Sequence, residues 1–126
     1  MKRSTVDRSW FSRVRRLGLA LPNVEESTAF GSPALAVTGT MFVCIPTNNQ
    51  AEPESVVVRL SFIERDLRVA HEPAIYYLKP HYVSYPCVLA RVQRLDDPDL
   101  KELLETSWRF VQSTRGARRA VRRPRA

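Results

Sequence analysis

At 126 residues, with 44% hydrophobic and 26% charged side chains, the chain has the make-up of one globular domain and is too short for two cores of ordinary size. No apolar run approaches the ~20 residues needed to cross a bilayer, so a membrane partner is not expected. The formal net charge of +7 invites a nucleic-acid reading, yet the charge sits at the ends: residues 1–16 hold six basic groups against Asp7 and residues 115–126 hold six arginines and no acid, leaving 20 − 12 = 8 basic and 13 − 1 = 12 acidic groups in residues 17–114.

The opening "MKRSTVDRSWFSRVRRLG" is positive but lacks an uninterrupted apolar segment. It does not read as a secretory signal, and a cytoplasmic protein is expected. A helix is predicted from about Thr5 to Ala20. Trp10, Phe11, Val14, Leu17, Gly18 and Leu21 fall on one side of a helical wheel, and Arg8, Arg13, Arg15 and Arg16 lie on the other. Pro22 ends it.

Next, Gly31, Pro33, Gly39 and Pro46 punctuate short runs rich in Val, Phe, Thr and Ile. They read as antiparallel strands over Ser27–Phe30, Ala34–Thr38 and Met41–Ile45, with "TGT" as a tight turn. "PTNNQAEPE" is an exposed loop. In "SVVVRLSF", Val56, Val58, Leu60 and Phe62 alternate with Ser55, Val57, Arg59 and Ser61, the pattern of a strand with one buried and one more open face. "IERDLRVAHEP" is a short helix that stops at Pro73. Two more strands, Ala74–Leu78 and Cys87–Leu95, flank "KPHYVSYP". The last helix begins at "DDPD", with Asp97 as N-cap and Pro98 at the first helical position. It buries Leu100, Leu103, Leu104, Ser107, Trp108 and Val111.

The order is helix, three or four strands, helix, two strands, helix. This predicts an α+β fold in two layers, one antiparallel sheet with the helices on one face. Residues 1–114 make a single domain. Residues 115–126, "RGARRAVRRPRA", have little to bury and are read as an Arg-rich tail without structure of its own unless bound.

Four pieces carry a family resemblance: "LALPNVEESTAFGSPALAVTGTMFV", "VVVRLSFIERD", "YYLKPHYVSYPCVLARV" and "LKELLETSWRFV". In this order, covering about Val14 to Val111, they resemble the MmcQ/YjbR family of small bacterial proteins. The resemblance implies a CyaY-like or secretion-chaperone-like two-layer fold, in agreement with the order of elements. It also brings the family's DNA-binding label, which rests on likeness to a double-winged module, and fold alone does not fix function. It implies no catalytic residues and no cofactor. Cys87 departs from the bulky aromatic frequent at that place, and the basic tail lies outside the family region.

Candidate chemistry is sparse. Cys44 and Cys87 sit in apolar runs and read as small buried hydrophobes of a reduced protein. Metal-ligand spacing is missing, and the acidic first helix that frataxin-like iron binding needs is here basic. His71 at a helix end suits the helix dipole. Glu25 and Glu26 read as solvated loop charges. His81, Tyr82 and Tyr85 combine apolar bodies with polar tips, suiting a core edge or a recognition surface on a proline-stiffened connection. For catalysis His81 needs an acid or nucleophile fixed beside it, and no nucleophile elbow, zinc helix or phosphate loop appears. Enzyme activity is not expected.

Arg59 and Arg91 both fall on the open phase of their strands. They either pair with acids such as Glu54 or Asp66, or grip a phosphate or a carboxylate-bearing partner. Arg8, Arg13, Arg15 and Arg16, with Arg115, Arg118, Arg119, Arg122 and Arg123 of the tail, can neutralise phosphates without reading bases. The expectation is thus a non-enzymatic module binding DNA or another nucleic acid weakly and without sequence preference. The alternative is a protein-interaction module that uses the open sheet face.

Overall fold

In the computed structural model, which describes residues 8–122 and their side chains as far as Thr114, strand alternation decides the architecture. The elements are α1 (Phe11–Leu19), β1 (Val24–Ala29), β2 (Ser32–Val37), β3 (Thr40–Cys44), β4 (Ser55–Arg59), α2 (Phe62–His71), β5 (Tyr76–Tyr77), β6 (Cys87–Arg91) and α3 (Asp97–Arg122). Short 3-10 turns occupy Pro80–Tyr82 and Val92–Arg94. The six strands form one antiparallel sheet in the order β1-β2-β3-β4-β6-β5. The expected α+β class and element order are both present.

The hairpins follow from local backbone chemistry. Ala29 pairs with Ser32 across Phe30–Gly31, and Val37 pairs with Thr40 across Thr38–Gly39. All four turn residues have positive φ: 54° at Phe30, 78° at Gly31, 46° at Thr38 and 85° at Gly39. That is the signature of the tight turn whose twist matches the flanking strands, and glycine adopts it at no steric cost. The first strand begins at Val24, so Glu25 and Glu26 stand on an exposed edge strand rather than in a loop.

On β4 and β6, Val56, Val58, Val88 and Ala90 enter the main core beside Phe11, Val14, Leu100, Leu103, Leu104 and Val111. Val57, Cys87 and Leu89 face the other way, into a smaller cluster with Ala34, Cys44, Tyr77 and Tyr82. Burying a side chain of this size contributes ~1.5–3 kcal/mol, so the helical layer dominates stability. The adjacent Tyr76 and Tyr77 split by the same rule: Tyr76 joins the main core and Tyr77 the smaller cluster.

The start of α3 differs from expectation. The Asp99 N–H donates to Asp96 Oδ1 at 2.9 Å, making Asp96 the cap. Asp97 is thereby released for Arg13, whose Nε donates to it at 3.0 Å, and for Arg16, also at 3.0 Å. Arg13 further donates to the carbonyls of Val92 (3.2 Å) and Leu95 (2.7 Å). The first helix is thus tied to the start of the last. At α2, Ser61 Oγ accepts from the Glu64 N–H, a side-chain N-cap. The α3 backbone continues to Arg122, past the Thr114 boundary read from composition. The side chains from residue 115 onward lie outside the described residues.

Hydrogen bonds from Arg16 and then Arg13 hold the Asp97 carboxyl below its ordinary range. Arg68 does the same for Glu102, and Arg91 for Glu52. A carboxyl with a lowered folded pKa stabilises the fold above its unfolded pKa, and that contribution disappears as pH falls through the folded value. The urea midpoint is therefore expected to drop progressively below about pH 5. An Asp97→Asn chain should start lower at neutral pH and show a shallower acid dependence, which equilibrium unfolding at several pH values checks.

Candidate functional site

The helix-free face of the sheet carries a cleft of about 630 Å³, lined by Phe30, Met41, Thr47, Asn48, Val57, Arg59, His81, Tyr82, Tyr85, Pro86 and Cys87. Its floor follows from strand phase, since Val57, Arg59 and Cys87 all point away from the helices. Its size lies in the range of ligand pockets, as does its mainly apolar lining with a few polar groups.

One wall is the connection between β5 and β6. Pro80 opens the 3-10 turn, placing Tyr82 inward, where it is 6% exposed. His81 stays outside, its ring edge-on to Tyr82 at 4.7 Å between centroids and tilted against Tyr85 at 6.2 Å. Arg65 on α2 holds the far end of this wall. It is nearly buried, donates to the Val83 carbonyl at 2.7 Å and the Tyr85 carbonyl at 3.0 Å, and pairs with Asp66 at 2.9 Å.

The opposite wall is the loop between β3 and β4. Gln50 Oε1 accepts from the His81 N–H at 3.0 Å, joining the two walls. Arg91 clamps Glu52 through two hydrogen bonds of 2.8 Å and lies over the Tyr77 ring at 4.2 Å. The Tyr77 hydroxyl accepts from the Glu52 N–H at 2.8 Å and meets Ser55 Oγ at 2.6 Å. Arg91 is therefore a strut of the loop.

Arg59 is different. Its strand partner is Cys87, whereas Arg91 stands opposite Ser55, so the two guanidiniums occupy opposite ends of the paired strands. Arg59 donates one hydrogen bond, to the Met41 carbonyl at 3.3 Å. No carboxylate among the described residues is within ion-pair distance of it. The acids expected to neutralise it are engaged elsewhere: Glu54 accepts from Gln93 and Asp66 pairs with Arg65.

Phe30 forms the rim at the β1–β2 turn. It is 88% exposed and has a φ of 54°. A bulky side chain in the left-handed region is rare, and a wetted aromatic there gains nothing from packing. The sequence reading saw the turn glycine at this place and not the phenylalanine beside it. It also missed Met41 and Arg65.

The thiols do not suit nucleophilic chemistry. Burial and the neighbouring Cys87 push the Cys44 thiol up to about 11. Burial likewise raises Cys87, an effect that Arg65 and Arg59 oppose. A reactive cysteine needs the reverse.

Of the basic groups read as phosphate contacts, Arg13 and Arg16 pair with Asp97, and Arg15 pairs with Glu26 at 3.0 Å. The Arg8 side chain is exposed. Arg115, Arg118, Arg119, Arg122 and Arg123 lie outside the residues whose side chains are described.

A two-layer α+β domain with an aromatic cleft on its uncovered sheet face is thus defined. The chain belongs to the YjbR family, whose model matches residues 19–110. It is also similar to uncharacterised proteins of Mycobacterium bovis and Mycobacterium tuberculosis, with 40% identity over 40 residues, 32% of this chain and 31% of theirs. The match thus spans under a third of those relatives' length. No described helix is long and apolar enough to cross a membrane.

The two arginines should separate in a stability assay. Replacing Arg65 with Met leaves two carbonyls without their donor and is expected to cost about 2–3 kcal/mol. Arg59→Gln removes one long hydrogen bond and is expected to stay within about 0.5 kcal/mol of the parent. Urea denaturation of both variants checks this.

Proposed function

We propose that the protein is a non-enzymatic interaction module that receives a segment of a protein partner in the cleft on its open sheet face. The observation that supports this most directly is the combination of Phe30 and Arg59 at one opening. An exposed aromatic in a costly backbone conformation and a cation without a carboxylate both lack a return within the folded chain. Each gains one when a partner covers the cleft. The raised thiols beside it argue for binding rather than covalent catalysis.

A photo-cross-linking residue at position 30 tests the reading in living cells. Protein adducts are expected at position 30 that are lost when Arg59→Gln and Tyr85→Ala are combined, with none at Leu19 on α1. Adducts that persist in the double variant, or their absence at position 30, would contradict the proposal.

A second reading concerns nucleic acid and rests on the six arginines without an acid in residues 115–126. In it the tail binds duplex DNA through phosphates alone, leaving the cleft uninvolved. If six phosphates are engaged, the log–log salt dependence has a slope of roughly −5. That slope should vanish on truncation after Thr114, and equal binding by both chains would remove the tail from consideration.

A further inference from the structure

We infer that the partner segment is acidic as well as apolar: a large hydrophobic side chain enters among the rings of the cleft, and a carboxylate one or two residues away meets the Arg59 guanidinium. This rests on the cleft being the binding site and specifies what it recognises.

Three observations lead there. The first is charge. Arg59 uses one of its five N–H donors, on the Met41 carbonyl, and a guanidinium fork matches a carboxylate with two parallel hydrogen bonds. Arg13, Arg15, Arg16, Arg65, Arg68 and Arg91 all have a carboxylate partner within the chain. A single cation suits a monoanionic carboxylate better than a phosphate dianion, which is ordinarily held by several donors.

The second is shape. Tyr82, Tyr85, His81 and Met41 line the cleft, offering ring faces, ring edges and a thioether, all favourable contacts for a hydrophobic side chain. The third is extent. Phe30 at 88%, Tyr85 at 55% and Val83 at 51% exposure stand at or beside the rim, so apolar surface continues past the space a small molecule fills. A chain segment covers both. Residues 17–114 are net acidic, so the folded domain itself does not draw an acidic segment in, and its recognition at the cleft depends on the local contact with Arg59.

Selection from a displayed library of random heptapeptides, run against the full-length protein and its Arg59→Gln variant, tests this. The variant matters because tail arginines attract acidic peptides without any cleft. Peptides recovered on the parent should pair an aromatic or branched aliphatic residue with a nearby Asp or Glu. The acidic preference should fall at least about tenfold on Arg59→Gln, the effect of losing a charge-assisted guanidinium–carboxylate contact, while the hydrophobic preference remains.

An acidic preference that survives in the variant assigns the charge reading to the tail and overturns the inference. Hydrophobic enrichment without any acid, still sensitive to Tyr85→Ala, also overturns it but leaves the cleft as a binding site. No enrichment sensitive to Tyr85→Ala overturns the cleft itself. Should phenylacetate alone compete as well as the recovered peptides, measured by tyrosine fluorescence, the occupant is a small aromatic acid and the assignment of a chain segment fails. Concentration-dependent self-association that blocks peptide binding would show a second copy as the occupant, with the same consequence.

Discussion

Strands β4 and β6 lie side by side near the middle of the sheet, and consecutive side chains of a strand must point to opposite faces. Every valine they send toward the helices leaves its neighbour on the other side. Val56, Val58, Val88 and Ala90 build the main core, so Val57, Arg59, Cys87 and Leu89 become the floor of the uncovered face. A slip of one residue in this pairing would exchange the two sets and put Arg59 into the apolar layer. The cleft is therefore a consequence of the same alternation that forms the core, and it cannot be moved without dismantling it.

Six of the ten arginines whose side chains are described pair with a carboxylate of the chain, and five of them serve the architecture. Arg13 and Arg16 join the first helix to the last through Asp97, Arg68 joins α2 to α3 through Glu102, and Arg65 pins the turn before β6. Arg91 binds the loop between β3 and β4 to the sheet through Glu52. Partly buried pairs whose remaining donors meet backbone carbonyls are geometrically specified. Arg65 and Arg91 fix the walls on either side of Arg59 and leave it as a cation facing the opening. The basic appearance of the chain thus divides into internal ties and the six arginines of residues 115–126.

Much of this was legible in the sequence. Period-two alternation located β4 and β6 and assigned Arg59 to the open face, and the glycines at 31 and 39 divided the first three strands, with Thr38–Thr40 read as a turn and the first strand begun at Ser27 rather than Val24. Proline spacing singled out the turn that carries His81, Tyr82 and Tyr85. What escaped was the partner of each charge. Whether Arg59 or Arg91 is neutralised depends on strand register and on where the loop around Glu52 lands, and the Arg91–Glu52 contact joins residues 39 apart in sequence. The cap of α3 was misplaced by one position because Asp96 and Asp97 are chemically equal, and only the proximity of Arg13 and Arg16 distinguishes them. Phe30 was hidden for another reason: turn chemistry names the glycine, and an aromatic residue beside it gives no signal until its exposure is known.

Solvent mapping addresses the central claim, that the uncovered sheet face holds the binding site. Crystals of the full chain would be soaked in turn with phenol, isopropanol and acetate. The account predicts phenol and isopropanol clustered between Phe30, Tyr82 and Tyr85, with acetate against Arg59. A cleft that holds only water while the probes gather on α2 at Ile63 and Leu67, which are 75% and 49% exposed, would contradict it.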